Sequence, residues 1–137
     1  MNQIKKLHQM IRFGISGVAG FLVDAGIVAI CTRTFGMEPI PSQAAAFSVA
    51  VTVTWLINRY WTFAENASDR WVHEFLRYIA ANSLGAAVNN VVFSFLILTT
   101  VLFRNNPILA VSIGSLAGMV FNFLSSKNLI FTKRYNA

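Results

Sequence analysis

Of the five acidic side chains in this 137-residue chain, Asp24 alone falls within a long apolar stretch, residues 13–32. A charge at the centre of a bilayer costs roughly 2.5–3.5 kcal/mol on insertion scales. Asp24 must therefore face protein or water, or carry a proton. Amides stand within or at the ends of the other apolar stretches: Asn58, Asn89, Asn90 and Asn122. With Asp24 they read as a polar pathway, or alternatively as a structural hydrogen-bond hub, with Asn89 or Asn90 as the expected partner of Asp24 and Asn122 as a further contact. Of the six cations that border apolar stretches, four fall at the same expected end of the spans: Arg12, Arg59, Arg77 and Lys127. Arginine offers a planar fork of donors suited to phosphate, and lysine a point charge. Anion docking is one reading of these four, and ordinary membrane anchoring the other. The polar residues Thr54, Asn58, Asn122 and Ser126, on the stripes that end at Arg59 and Lys127, favour docking.

Other chemistry finds little support. No glycine pattern matches a nucleotide-binding loop. His8 and His73 are isolated, and the serines have no histidine base in a plausible partner position. The one cysteine, Cys31, excludes an internal disulfide framework and a Cys-rich zinc site. No metal, no cofactor and no enzymatic activity are expected.

The elements that must position these residues follow from composition. The chain is 55% hydrophobic and 12% charged, against about 25% charged in soluble domains. A net charge of +6 suggests nucleic acid only where a soluble fold gathers a basic face. Here the charges punctuate long apolar runs, so no nucleic-acid partner is expected and the chain reads as an integral membrane protein. Residues 13–32, 39–58, 78–103 and 105–126 carry no charge apart from Asp24. Each reaches the roughly 20 helical residues that a bilayer core requires. The alternating ten-residue segments of a membrane β-barrel are missing. The expected fold is all-α, with four transmembrane helices.

The breaks agree. Gly36 to Pro41 and Arg104 to Pro107 are short turns that open the next helix with proline, whose missing N–H costs nothing there. Both connections are short enough to make helices 1–2 and 3–4 antiparallel hairpins. The basic residues fall as Lys5, Lys6 and Arg12; Arg33; Arg59, Arg70 and Arg77; Arg104; and Lys127, Lys133 and Arg134. By the positive-inside rule both termini and the middle loop are expected to be cytoplasmic. The first apolar run holds an acid and lacks an evident cleavage site, so it reads as a retained span rather than a signal peptide. The sequon Asn66-Ala67-Ser68 then lies on the wrong side for glycosylation. Trp71, Phe75 and Tyr78, interleaved with Arg70, Glu74 and Arg77, form an amphipathic stretch that can lie in the interface and run into helix 3.

The second half repeats the first. At an offset of 65, Arg12 falls on Arg77, Phe13 on Tyr78, Gly20 on Gly85 and Asp24 on Asn89; at 68, Pro39 falls on Pro107, Ala46 on Gly114, Arg59 on Lys127 and Phe63 on Phe131. Each copy holds two spans, so the copies are expected to run parallel, related by an axis along the membrane normal. The organisation expected is one transmembrane domain over 1–137, with repeat 1 at about 10–63, an interfacial linker at about 64–76 and repeat 2 at about 77–133. The matched positions recur every fourth residue and are mostly small, a pattern that lets helices approach closely in a membrane.

Asn58-Arg59-Tyr60-Trp61-Thr62-Phe63, closing a hairpin that begins Arg12-Phe13-Gly14 and contains Asp24, resembles the GtrA-like membrane proteins. Asn122-Phe123-Leu124 and Lys127 to Phe131 resemble that family's second half, so the likeness covers residues 10–133. Thr54 departs from it, since asparagine is expected there by analogy with Asn122. The resemblance implies a bacterial inner-membrane protein of cell-surface polysaccharide synthesis that moves polyprenyl-phosphate-linked sugars between leaflets beside a membrane glycosyltransferase. The phosphate is expected at Arg12, Arg59, Arg77 and Lys127, and the sugar along Asp24, Asn58, Asn89, Asn90 and Asn122. Two alternatives stand: a non-transporting partner that recruits or stabilises a glycosyltransferase, and a small proton-coupled cation exporter. Four helices enclose little space for a sugar, so a homo-oligomer or a groove open to membrane lipids is expected.

Overall fold

No proline interrupts residues 3 to 33, and this stretch forms one 31-residue helix, α1 (Gln3–Arg33), in the computed structural model, which describes residues 2–132. The Asn2 side chain caps it by accepting from the Ile4 N–H at 3.3 Å. At 1.5 Å per residue α1 is about 46 Å long, well beyond the ~30 Å bilayer core. It begins ten residues before the apolar window read from the sequence. Gly36 turns the chain with a φ of 63°, a left-handed conformation that glycine adopts without a Cβ penalty. Helix α2 (Pro39–Ile57) follows with proline in its first turn.

The second half contains α3 (Trp71–Thr99), a short α4 (Val101–Asn105) and α5 (Pro107–Ser125). Two boundaries differ from the sequence reading. Trp71 to Leu76 belong to α3, and before them lie a 3-10 turn, Ala64–Asn66, and residues 67–70 outside regular structure. The expected run 78–103 also breaks, at Thr100, whose backbone is extended (φ −133°, ψ 122°). Local hydrogen bonds explain the break. Thr99 Oγ1 donates back to the Phe95 carbonyl at 2.7 Å, and Arg104 donates to the Ile97 and Leu98 carbonyls at 3.4 Å each. Carbonyls that a longer helix would have satisfied thereby find partners. Lys133 and Arg134, counted among the C-terminal cations, lie outside the described residues.

Among the described residues there is no strand, and four helical segments are long and apolar enough to cross a membrane: Gln3–Arg33, Pro39–Thr62, Trp71–Thr99 and Pro107–Ile130. Phe21, Leu98 and Ile108 are 68, 75 and 79% exposed along them. Apolar exposure on this scale is foreign to a soluble monomer. The chain is a multi-pass, all-α membrane protein.

The chain divides into two compact units between Asp69 and Arg70. In the first, α1 packs on α2; in the second, α3 packs on α5. Small residues form both seams. In the first hairpin Ser16, Gly20, Ala46 and Ala50 are buried, and Ser16 Oγ donates to the Thr54 carbonyl at 3.4 Å. A Cβ on Gly20 would run into the Thr54 methyl group. In the second, Ala81, Gly85, Gly114 and Gly118 are buried. A Cβ on Gly118 would stand 2.8 Å from the Gly85 carbonyl oxygen, and one on Gly114 2.8 Å from that of Asn89. At Gly114 and Gly118 the stripe of small residues thus brings α5 against the backbone of α3, a contact that larger side chains would prise apart.

Candidate functional site

Both α2 and α5 end in a π turn, Asn58–Thr62 and Ser126–Ile130. Each is closed by a backbone bond of 2.8 Å, from Phe63 N–H to the Asn58 carbonyl and from Phe131 N–H to that of Ser126. Such wide turns are rare and concentrate at functional sites. Aromatic pairs seat them. Phe13 meets Phe63 edge-on with centroids 6.2 Å apart, and Tyr78 meets Phe131 likewise at 6.3 Å. All four rings are buried.

The expected phosphate-binding cations surround these turns. Arg12 Nη1 donates to the Trp61 carbonyl at 3.1 Å and lies over the Trp61 ring. Arg77 Nη2 donates to the Leu129 carbonyl. Carbonyls at a helix end lack intrahelical donors, so each arginine clasps the end of the partner helix in its own hairpin. Arg59 Nη1 donates to the Ser68 carbonyl at 2.9 Å, with its guanidinium over Trp55 and Tyr60. The Lys127 ammonium lies over the Phe123 ring at 5.9 Å. These cations therefore have structural duties that their spacing did not disclose. A guanidinium carries five N–H donors, so the single bond of Arg12 to the Trp61 carbonyl leaves it capacity for an anion. The contacts of positions 12, 13, 55, 61 and 63 recur at 77, 78, 123, 129 and 131.

The polar positions divide by role. Asp24 has a partner within its own hairpin, Gln43, whose Nε2 donates to the two carboxylate oxygens at 3.1 and 3.4 Å. Asn89 and Asn90 were the partners expected, and Gln43 was missed. By helical rise the pair lies about 18 Å along α1 from Arg12. It has no counterpart in the second hairpin, where Asn89 and Val111 occupy the matching positions. Asn89 packs instead beside Gly114 and Gly118, and Asn122 beside Gly85. Asn122 Oδ1 is buried without a hydrogen-bond partner, as is Ser126 Oγ. Asn58, in the first π turn, is 1% exposed. Asn90 is exposed, and its Nδ2 donates to the Ala86 carbonyl of its own helix at 3.0 Å.

A cleft of about 250 Å³ opens between the first turns of α1 and the segment 61–66, with Lys5, His8, Gln9 and Arg12 along the α1 wall. Of these only Arg12 stood out in the sequence. Lys5, His8 and Arg12 are nonetheless spaced i, i+3, i+7, the signature of a single helix face. Gln9 Oε1 and Thr62 Oγ1 are buried there without hydrogen-bond partners. The cleft thus offers cationic donors, a buried hydroxyl and an amide oxygen.

Comparison with known families gives one further finding: residues 12–136 match the family model described as GtrA/DPMS, transmembrane domain.

Proposed function

The chain belongs to the GtrA/DPMS transmembrane-domain family, membrane proteins of polyprenyl-phosphate-sugar handling, and from that premise we propose that it flips polyprenyl-phosphate-linked sugars from the cytoplasmic to the outer leaflet. The setting is a bacterial inner membrane, and the use is cell-surface polysaccharide synthesis or modification. The observation that carries this reading is the Asp24–Gln43 pair between two membrane-spanning helices, α1 and α2. A helix that only anchors a protein gains nothing from an intramembrane carboxylate, whereas a carboxylate held by an amide suits sugar hydroxyls that both donate and accept.

The head group travels between two depths. Its phosphate meets cations at the ends of the spans, Arg12 and Arg59 in the first hairpin and Arg77 and Lys127 in the second. The sugar then exchanges water for Asp24 and Gln43, about 18 Å further along α1, while the polyprenyl tail stays in lipid. With the cytoplasm negative, outward movement of one negative charge is favourable by about 2.3 kcal/mol per 100 mV. The chain makes and breaks no covalent bond in this scheme, and a membrane glycosyltransferase supplies or consumes the lipid-linked sugar. A second copy, or a lipid-facing groove, shelters the sugar.

The test is transfer in proteoliposomes. Wild type and Asp24→Asn are compared for movement of a polyprenyl-phosphate-linked sugar to the leaflet opposite its addition. Protein-dependent transfer that falls at least tenfold in Asp24→Asn supports the reading. Absence of transfer by the wild type sinks it. A second reading, a non-transporting partner of a glycosyltransferase, draws on the clasping bonds of Arg12 and Arg77. It predicts that Asp24→Asn is harmless while changes on an outer helix face break complex formation.

A further inference from the structure

We infer that the cleft between α1 and the segment 61–66 seats the phosphate of an anionic lipid head group. The inference rests on the proposed function only for the identity of the lipid. Its basis is a helix face. Lys5, His8 and Arg12 lie on one side of α1 and line the cleft, with Glu65 the one acid in its wall. Thr62 is 4% exposed, and its hydroxyl, buried without a partner, can donate to a phosphate oxygen. Arg12 spends one N–H on the Trp61 carbonyl and keeps others to donate.

The neighbouring stripe of α1 identifies the surroundings. Ile4, Leu7 and Ile11 are 61, 55 and 51% exposed, again spaced i, i+3, i+7. A basic stripe beside an apolar one is the pattern of a helix lying at the boundary of head groups and acyl chains. By helical rise Lys5 stands about 10 Å beyond Arg12, within the depth of a lipid head group. The volume agrees: about 250 Å³ falls below the roughly 300 Å³ at which pockets for whole small molecules begin. It suits a phosphate whose tail stays outside.

The basic face is duplicated. At the same offset of 65, Lys5, His8 and Arg12 fall on Arg70, His73 and Arg77. Two differences at the seat separate the copies: Gln9 falls on Glu74, so a carboxylate replaces a neutral amide, and at the offset of 68 Thr62 falls on Ile130, so the hydroxyl is lost. The first hairpin is therefore the more attractive to an anion, and the seat is assigned to it.

The experiment uses the full chain in nanodiscs of neutral phosphatidylcholine, titrated with farnesyl phosphate, farnesol or inorganic phosphate while tryptophan fluorescence is followed, Trp61 being a wall of the cleft. Farnesyl phosphate is expected to bind, and farnesol and inorganic phosphate to bind at least tenfold more weakly. Lys5→Gln with His8→Gln is expected to weaken farnesyl phosphate about tenfold, from the loss of charge-assisted hydrogen bonds, and Thr62→Val by about threefold. Lys6→Gln removes an equal charge outside the cleft and is expected to leave binding unchanged. Unchanged binding in the double variant overturns the seat, as does an equal loss in Lys6→Gln. Equal binding of farnesol overturns the role of the phosphate, and equal binding of inorganic phosphate overturns its lipid source. Failure of leaflet-to-leaflet transfer leaves this binding result standing, so the two readings fail separately.

Discussion

Gly118→Ala tests the close packing of the second hairpin. The added Cβ would stand 2.8 Å from the Gly85 carbonyl oxygen and 3.2 Å from the Asn89 Cβ. Neither atom can swing aside by a rotamer change, so α3 and α5 must separate. Overpacking of this kind costs about 1–3 kcal/mol. Glycine to alanine also favours the helix by about 0.8–1.0 kcal/mol, which would mask part of the cost. Gly14→Ala supplies the control, because nothing lies within 4 Å of a Cβ there. The propensity gain largely cancels between the two variants, and the overpacking cost remains as their difference. Equilibrium unfolding in mixed micelles with increasing SDS is expected to place Gly118→Ala about 1–3 kcal/mol below Gly14→Ala. Equal stability of the two refutes the backbone contact between Gly118 and Gly85.

Three further outcomes are expected. Arg12→Gln removes the clasp on the Trp61 carbonyl; since Arg12 is exposed, the loss should be about 1 kcal/mol, read as an earlier midpoint in thermal unfolding. Gln43→Leu leaves the Asp24 carboxylate without its amide, so the protein should be destabilised in a way that Asp24→Asn with Gln43→Leu partly relieves, measurable as a double-mutant cycle. Cys31, the single cysteine, lies beside the Arg33 end of α1; a membrane-impermeant maleimide should label it from outside intact spheroplasts, and labelling only after lysis would reverse the expected topology.

The helices were legible because the apolar runs are long and their breaks carry Pro, Gly and charge. The clasps at the helix ends were not. Hydropathy marks Arg12 and Arg77 as flanking cations, but only the π turns after Ile57 and Ser125 show which carbonyls they reach. Internal symmetry did not disclose the Gln43 partner of Asp24. The matching Asn89 suggested a polar station shared between the copies, yet Gln43, the residue that bonds the carboxylate, is replaced by Val111 in the second copy. Asn90 shows the limit of residue type alone. An asparagine in a span does not disclose from its type that its amide bonds its own helix, as that of Asn90 does at Ala86. The cleft is hidden in the sequence because Lys5 and His8 precede the apolar window, where Lys5 counts as a topology signal and His8 as an isolated histidine. Their shared face becomes visible once α1 is seen to begin at Gln3.

The docking role of the cations is tested most directly by head-group transfer in proteoliposomes carrying Arg59→Ala together with Lys127→Ala. These are matching positions in the two hairpins, and each side chain packs over an aromatic ring rather than clasping the end of the partner helix as Arg12 and Arg77 do. Transfer of a polyprenyl-phosphate-linked sugar at least tenfold slower than wild type, with the protein still folded and inserted, is the predicted result. Transfer at the wild-type rate contradicts it.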